Sequence, residues 1–152
     1  MVDERLQQHF WLSEFLRSDT ALRRGIDNVP KAGELANIRN VLAPGMVRVR
    51  NLLRTPVLIT SGFRSEALNA AVGGSKSSQH LQGLAADFIS PDFGTPRKIA
   101  QMLMERSTEI RFDQLIWEGQ WVHISFVPGA PRGEVLTAHF FAGGVSYTKG
   151  LG

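Results

Sequence analysis

The strongest constraint on this chain lies between residues 112 and 126, where two alternating segments flank a glycine. Phe112-Asp113-Gln114-Leu115-Ile116-Trp117-Glu118 and Trp121-Val122-His123-Ile124-Ser125-Phe126 meet at Gly119-Gln120. Alternation with period two on both sides of a two-residue loop predicts a β-hairpin, and glycine at the first loop position suits a type II′ turn. That register pairs Glu118 with Trp121 and Ile116 with His123, and paired residues share a face. One face then reads Leu115, Trp117, Val122, Ile124 and Phe126, apolar throughout. It belongs against a core. The other carries Gln114, Ile116, Glu118, Trp121, His123 and Ser125, so a carboxylate and an imidazole emerge together.

The rest of the chain supplies the elements around this hairpin. A helical stripe over 10–24 holds Phe10, Leu12, Phe15, Leu16 and Leu22, with Ser13 and Ser18 as caps and Gly25 as its end. Residues 33–54 read as one or two helices, with Pro44-Gly45 as a break. Pro56 to Thr60 is a short buried strand ending in Ser61-Gly62, and a short helix fits Glu66 to Val72. Residues 73–79, GGSKSSQ, form a loop, and Ala85 to Ile89 form another strand. Thr95-Pro96 opens a helix through about Ser107, and strands follow near 113–118, 121–126 and 134–140. No βαβ rhythm emerges. The expected fold is α+β in one domain spanning 1–152, an antiparallel sheet with helices packed on one side and a loose tail from 143.

Composition narrows the chemistry. Cysteine is absent, which excludes disulfide scaffolds, thiolate zinc ribbons, iron–sulfur clusters and cysteine nucleophiles. Metal ligation falls to histidine, aspartate and glutamate. The net charge is +3, and the clusters Arg23-Arg24 and Arg48/Arg50/Arg54 have no aromatic residues between them. They read as solvated helix faces, so nucleic acid is not an expected partner, although mild basicity suits a polyanionic surface such as a cell wall. No apolar run reaches the ~18–20 residues of a spanning helix, and MVDERLQQHF carries charges where a signal peptide is apolar. The expectation is a monomer made in the cytoplasm without a signal peptide.

One ten-residue stretch stands out: Ser78-Gln79-His80-Leu81-Gln82-Gly83-Leu84-Ala85-Ala86-Asp87. His80 closes a Gly/Ser loop and Asp87 lies in a strand seven residues later. A histidine and a carboxylate at separate element ends begin a catalytic zinc site, which uses three protein ligands and leaves one position open. The plain alternative is a capped loop histidine and a surface aspartate. The hairpin offers a third ligand with a neighbouring carboxylate, whereas His9 and His139 sit in no motif and read as structural.

Ser-x-His-x-x-Gly-x-Ala-x-Asp followed by a Trp-x-His strand resembles the zinc D-alanyl-D-alanine carboxypeptidase family. That family includes bacterial dipeptidases and phage L-alanyl-D-glutamate endolysins and shares a fold with the hedgehog signalling domain. Phe10-Trp11-Leu12-Ser13-Glu14-Phe15 and Thr60-Ser61-Gly62-Phe63-Arg64-Ser65 are similar as well, so the resemblance covers all but about the last ten residues. It implies zinc ligation by His80, Asp87 and His123, and substrate carbonyl or carboxylate binding by Arg64, whose alternative is an ion pair with Glu66. It also implies a place for Ser78 along the peptide groove.

In much of that family an acid stands three residues before the last histidine ligand, and here that residue is Gln120. A neutral amide cannot accept a proton, so the general base is assigned to Glu118, on the face of His123. Trp121 forms an apolar wall. The implied activity is zinc-dependent hydrolysis of an amide in the peptidoglycan stem peptide, at the bacterial cell wall, with a phage lysis or virion-associated enzyme favoured. The Gln120 departure keeps a second reading open: a non-catalytic zinc-containing cell-wall-binding module, or a virion component with a vestigial peptidase fold.

Overall fold

A computed structural model describes residues 3–152 of the chain, and Met1 and Val2 lie outside the described residues. The segment read as one helix over 10–24 divides. A ribbon of β1 (Arg5–Gln7) and β2 (Phe10–Trp11) leads into α1 (Leu12–Leu16), and α2 (Asp19–Arg24) follows. Arg17 is extended between the two helices, so the apolar stripe turns a corner there. Phe10 and Phe15 are buried, while Leu22 is exposed. Ser18 is the cap, accepting from the Ala21 N–H at 3.1 Å, and Gly25 ends α2 in the left-handed conformation.

Pro44 does not break the next helix. α3 (Ala32–Asn37) continues through a π-helical segment (Ile38–Leu42) into α4 (Ala43–Leu53). The Ala43 N–H reaches the Ile38 carbonyl, one residue farther than α-helical spacing. Pro44 sits just after this widened turn, where its ring and missing N–H disturb the ladder least. Gly45 is required for a different reason: a Cβ there would come within 2.4–2.6 Å of three carbons of the Phe126 ring. Gly→Ala in a helix ordinarily gains about 1 kcal/mol of propensity. Overpacking of this kind costs about 1–3 kcal/mol, so Gly45→Ala should lower stability in denaturant titrations despite the better helix former.

The remaining elements are β3 (Leu58–Ser61), α5 (Glu66–Ala71), a 3₁₀ turn (Gln79–Gln82), β4 (Ala85–Ile89), α6 (Pro96–Glu105), α7 (Ser107–Ile110), β5 (Gln114–Trp117), β6 (Val122–Ser125), β7 (Glu134–Phe141) and β8 (Gly144–Lys149). The six-stranded sheet runs β3-β4-β6-β5-β7-β8. The hairpin has the predicted register, with Ile116 opposite His123 and Leu115 opposite Ile124. Its reversal is tighter than a type II′ turn, because the Gln120 N–H bonds to the Glu118 carbonyl at 2.9 Å around Gly119 at φ +77°. Leu115, Val122, Ile124 and Phe126 join Ile38, Met46, Val49, Ile99 and Leu103 in the core, so helices cover the apolar face.

The sheet is antiparallel, as expected, except at one pair. β5 and β7 are parallel, with Ile116 beside Leu136. No long crossover is needed, because β6 ends beside the start of β5 and residues 126–133 pass around that end. Asp113 pins the passage: it accepts from the Arg132 backbone N–H at 2.9 Å and from Nη2 at 2.7 Å. The tail is not loose. Residues 144–149 form β8, paired along β7 from Leu136–Lys149 to Phe141–Gly144, because Gly143 and Gly144 let the chain fold back. Among the described residues no helix is long and apolar enough to cross a membrane.

Candidate metal centre

A row of residues crosses the sheet on the face opposite the core. Ser61 of β3 lies opposite Asp87 of β4, and Asp87 lies opposite His123 of β6. His123 in turn lies opposite Ile116 of β5. Strand pairing alone therefore brings Asp87 and His123 together across 36 residues of chain. His123 Nδ1 is 3.0 Å from Asp87 Oδ1.

His80 reaches the same carboxylate from outside the sheet. It sits in the 3₁₀ turn, whose first N–H groups are capped by Ser78 Oγ accepting from the His80 N–H at 3.2 Å. The turn folds over the row, and His80 Nε2 stands 3.2 Å from Asp87 Oδ1. The other ring nitrogen, Nδ1, is 2.7 Å from the Gly62 carbonyl, an acceptor that makes Nδ1 the protonated nitrogen and leaves Nε2 to ligate. Gly62 can present that carbonyl because it has no side chain: a Cβ would strike the backbone of Phe15, to which the Phe63 N–H bonds at 2.7 Å. The two imidazoles meet edge-on, with centroids 5.1 Å apart.

All three side chains are buried, and one ligand atom from each lies within 4.8 Å of the others. Burial alone would push the Asp87 carboxyl up. The two histidines outweigh it and hold the group well below the usual carboxylate range. Two imidazoles and one carboxylate from separate elements, with a backbone carbonyl orienting one ring, match the three-ligand pattern of catalytic zinc. The residues fit a zinc ion, although the same donors suit other divalent metals.

Glu118 stands at the edge of this cluster, its Oε1 3.8 Å from His123 Nδ1 and 3.2 Å from the Trp121 indole nitrogen, which donates to it. Burial first, and then the charge of Asp87, raise its pKa above that of an ordinary glutamate. Gln120 is exposed at the turn. Arg64 pairs with Asp87 and not with Glu66: Nη2 approaches Asp87 Oδ2 at 3.4 Å, while Nε donates to Ser61 Oγ and Nη1 to Asn69 Oδ1 at 3.2 and 3.3 Å. A cleft of about 370 Å³ runs beside the cluster, lined by Arg64, Ser61, Thr60, Phe63, Asp87 and Trp121 among others. His139 lies away from it, bonded to Thr148 at 2.8 Å.

The geometry adds two residues that spacing did not single out. Gly62 acts through its carbonyl, and nothing in a side-chain pattern reports that. Asn69 is buried within α5, holding Arg64 on one side and donating to the Ser75 carbonyl at 2.9 Å on the other. An asparagine among the apolar positions of a short helix was its only trace in sequence.

The Peptidase M15 family model matches residues 8–125, from β2 to the end of β6. The chain belongs to the peptidase M15 family. No curated protein matches it. M15 peptidases are zinc-dependent hydrolases, and the matched segment contains His80, Asp87, His123, Arg64 and Glu118. It stops short of the resemblance read from the sequence: the M15 match does not include β7 and β8.

Proposed function

We propose that this M15 peptidase is a zinc enzyme that hydrolyses an amide bond of the peptidoglycan stem peptide at the bacterial cell wall. The observation that carries the reading is a buried His80–Asp87–His123 cluster with a second carboxylate, Glu118, 3.8 Å from one of its ligands and a guanidinium at its other side. Bound zinc polarises a scissile carbonyl and lowers the pKa of water. The chain's own residues do the rest. Glu118 takes the proton of the attacking water at its carboxylate and passes it to the leaving amine. Arg64 turns from its long contact with Asp87 to donate a forked pair of hydrogen bonds to the substrate oxygen as charge develops there. Ser78 Oγ already accepts from His80, which leaves its hydroxyl proton for a substrate carbonyl. Trp121 walls the groove.

Digestion of purified peptidoglycan followed by mass spectrometry tests this. New amino and carboxyl termini within the stem peptide are expected, and Arg64→Lys, which keeps the charge but loses the fork, should slow their appearance by far more than it lowers the melting temperature. No cleavage by zinc-loaded wild type would instead select the non-catalytic wall-binding or virion-component reading. Equal rates for Arg64→Lys and wild type would remove Arg64 from the substrate contacts.

A further inference from the structure

The site face does not end at the M15 match. Continuing the register of Trp117 beside Thr137 by one residue sets Glu118 beside Ala138, and Ala138 is opposite Tyr147 of β8. Two strand spacings of about 4.8 Å separate β5 from β8. A tyrosine ring spans most of that distance when the residue between is alanine. Burial, and then the carboxylates of Glu118 and Asp87, push the Tyr147 phenol up, as expected of a ring turned toward the site. One row farther along, Phe140 is opposite Val145 on the same face. Its ring lies 6.4 Å from that of Trp121, tilted at 52°.

These groups are still wet. Phe140 is 59% exposed, Tyr147 48% and Val145 39%. β8 is the sheet's edge, where natural strands carry charges, bulges or proline to discourage pairing, yet its site face is apolar until Lys149. An exposed aromatic surface continuous with a catalytic face is a place for substrate. It lies on the opposite side of the ligand cluster from the Arg64 cleft, because the cleft is built at β3 and α5, the ledge at β7 and β8, and Asp87 and His123 stand in β4 and β6 between those strands. Trp121 touches both, lining the cleft and packing on Phe140.

We propose that Trp121, Phe140 and Tyr147 form a ledge for the peptide chain on the side of the scissile bond away from the Arg64 cleft, making the enzyme an endopeptidase that grips substrate on both sides. The inference rests on the peptidase reading above. A substrate ending one residue past the cleaved bond leaves either the ledge or the cleft empty, and one extending both ways fills both. The apolar rings contact peptide side chains, and the Tyr147 hydroxyl contacts a backbone carbonyl.

The test uses the zinc-loaded 152-residue chain and three synthetic stem peptides: one extended by three residues on each side of the cleaved bond, one truncated on the ledge side and one truncated on the cleft side. Wild type should prefer the doubly extended peptide, and Phe140→Ser/Tyr147→Ser should lower the ratio of its kcat/KM to that of the ledge-side truncation by about tenfold, mainly through KM. Both residues are exposed, so the variant should fold, which its melting temperature checks. Binding of the same peptides to Glu118→Gln, with and without the two serine substitutions, is read by tryptophan fluorescence. An inert wild type would overturn the peptidase reading, while binding still decides the ledge. Unchanged selectivity and unchanged binding in the serine variant would overturn the ledge, as would a wild type that releases only single terminal residues.

Discussion

Glu118→Gln should lose peptidase activity by about 10²–10⁴-fold, the usual effect of removing a general base, while retaining its metal. The substitution keeps the shape and the acceptor for the Trp121 indole, which donates to Oε1 at 3.2 Å. It removes only the capacity to take a proton. Gln120→Ala provides the contrast. Its side chain is exposed, and alanine keeps the backbone N–H that donates to the Glu118 carbonyl, so activity should stay within about tenfold of wild type. The two variants need matched zinc content and matched melting temperatures, with hydrolysis of purified peptidoglycan as the readout. A fully active Glu118→Gln would mean that the proton goes elsewhere.

The second large effect is expected from the metal ligands. Protein purified without added metal should contain one zinc per chain by elemental analysis, and His80→Ala/His123→Ala should contain almost none, since one carboxylate cannot hold it alone. Ligand present at 100 times its dissociation constant adds about 2.7 kcal/mol of stability, or roughly 5–10 °C of melting temperature for a chain of this size. Chelation should therefore lower the melting temperature of wild type by that order and zinc should restore it. The double variant should respond to neither. Full zinc occupancy in that variant would refute the site.

Much of this centre was legible before any fold was known. The alternation around Gly119 determined the hairpin register, and the register determined that Glu118 and His123 share the face away from the core. Ala85 to Ile89 read as a strand, which is β4, and cysteine's absence confined ligation to histidine and carboxylate. These follow from periods of two or from composition, properties that a short stretch of chain carries by itself. The α+β class of the single domain was legible too, but the one parallel pair in the sheet, the division of the helix over 10–24 and the ordering of the tail were not, for the opposite reason. The direction of β7 depends on where β6 ends relative to β5, and the corner at Arg17 depends on what Phe10 and Phe15 pack against.

The tertiary structure alone decided how the pieces meet. Spacing does not say that a 3₁₀ turn folds His80 onto Asp87, that the Gly62 carbonyl orients the His80 ring, or that Arg64 turns to Asp87 when Glu66 is two residues away. Nor does it show that β8 sets Tyr147 opposite Ala138, at the far edge of the same sheet. Each is a contact between residues far apart in sequence, and its geometry is set by which apolar faces pack together. Side-chain types and local periods determined the available chemistry; burial of the shared core decided which groups that chemistry brought within reach of one another.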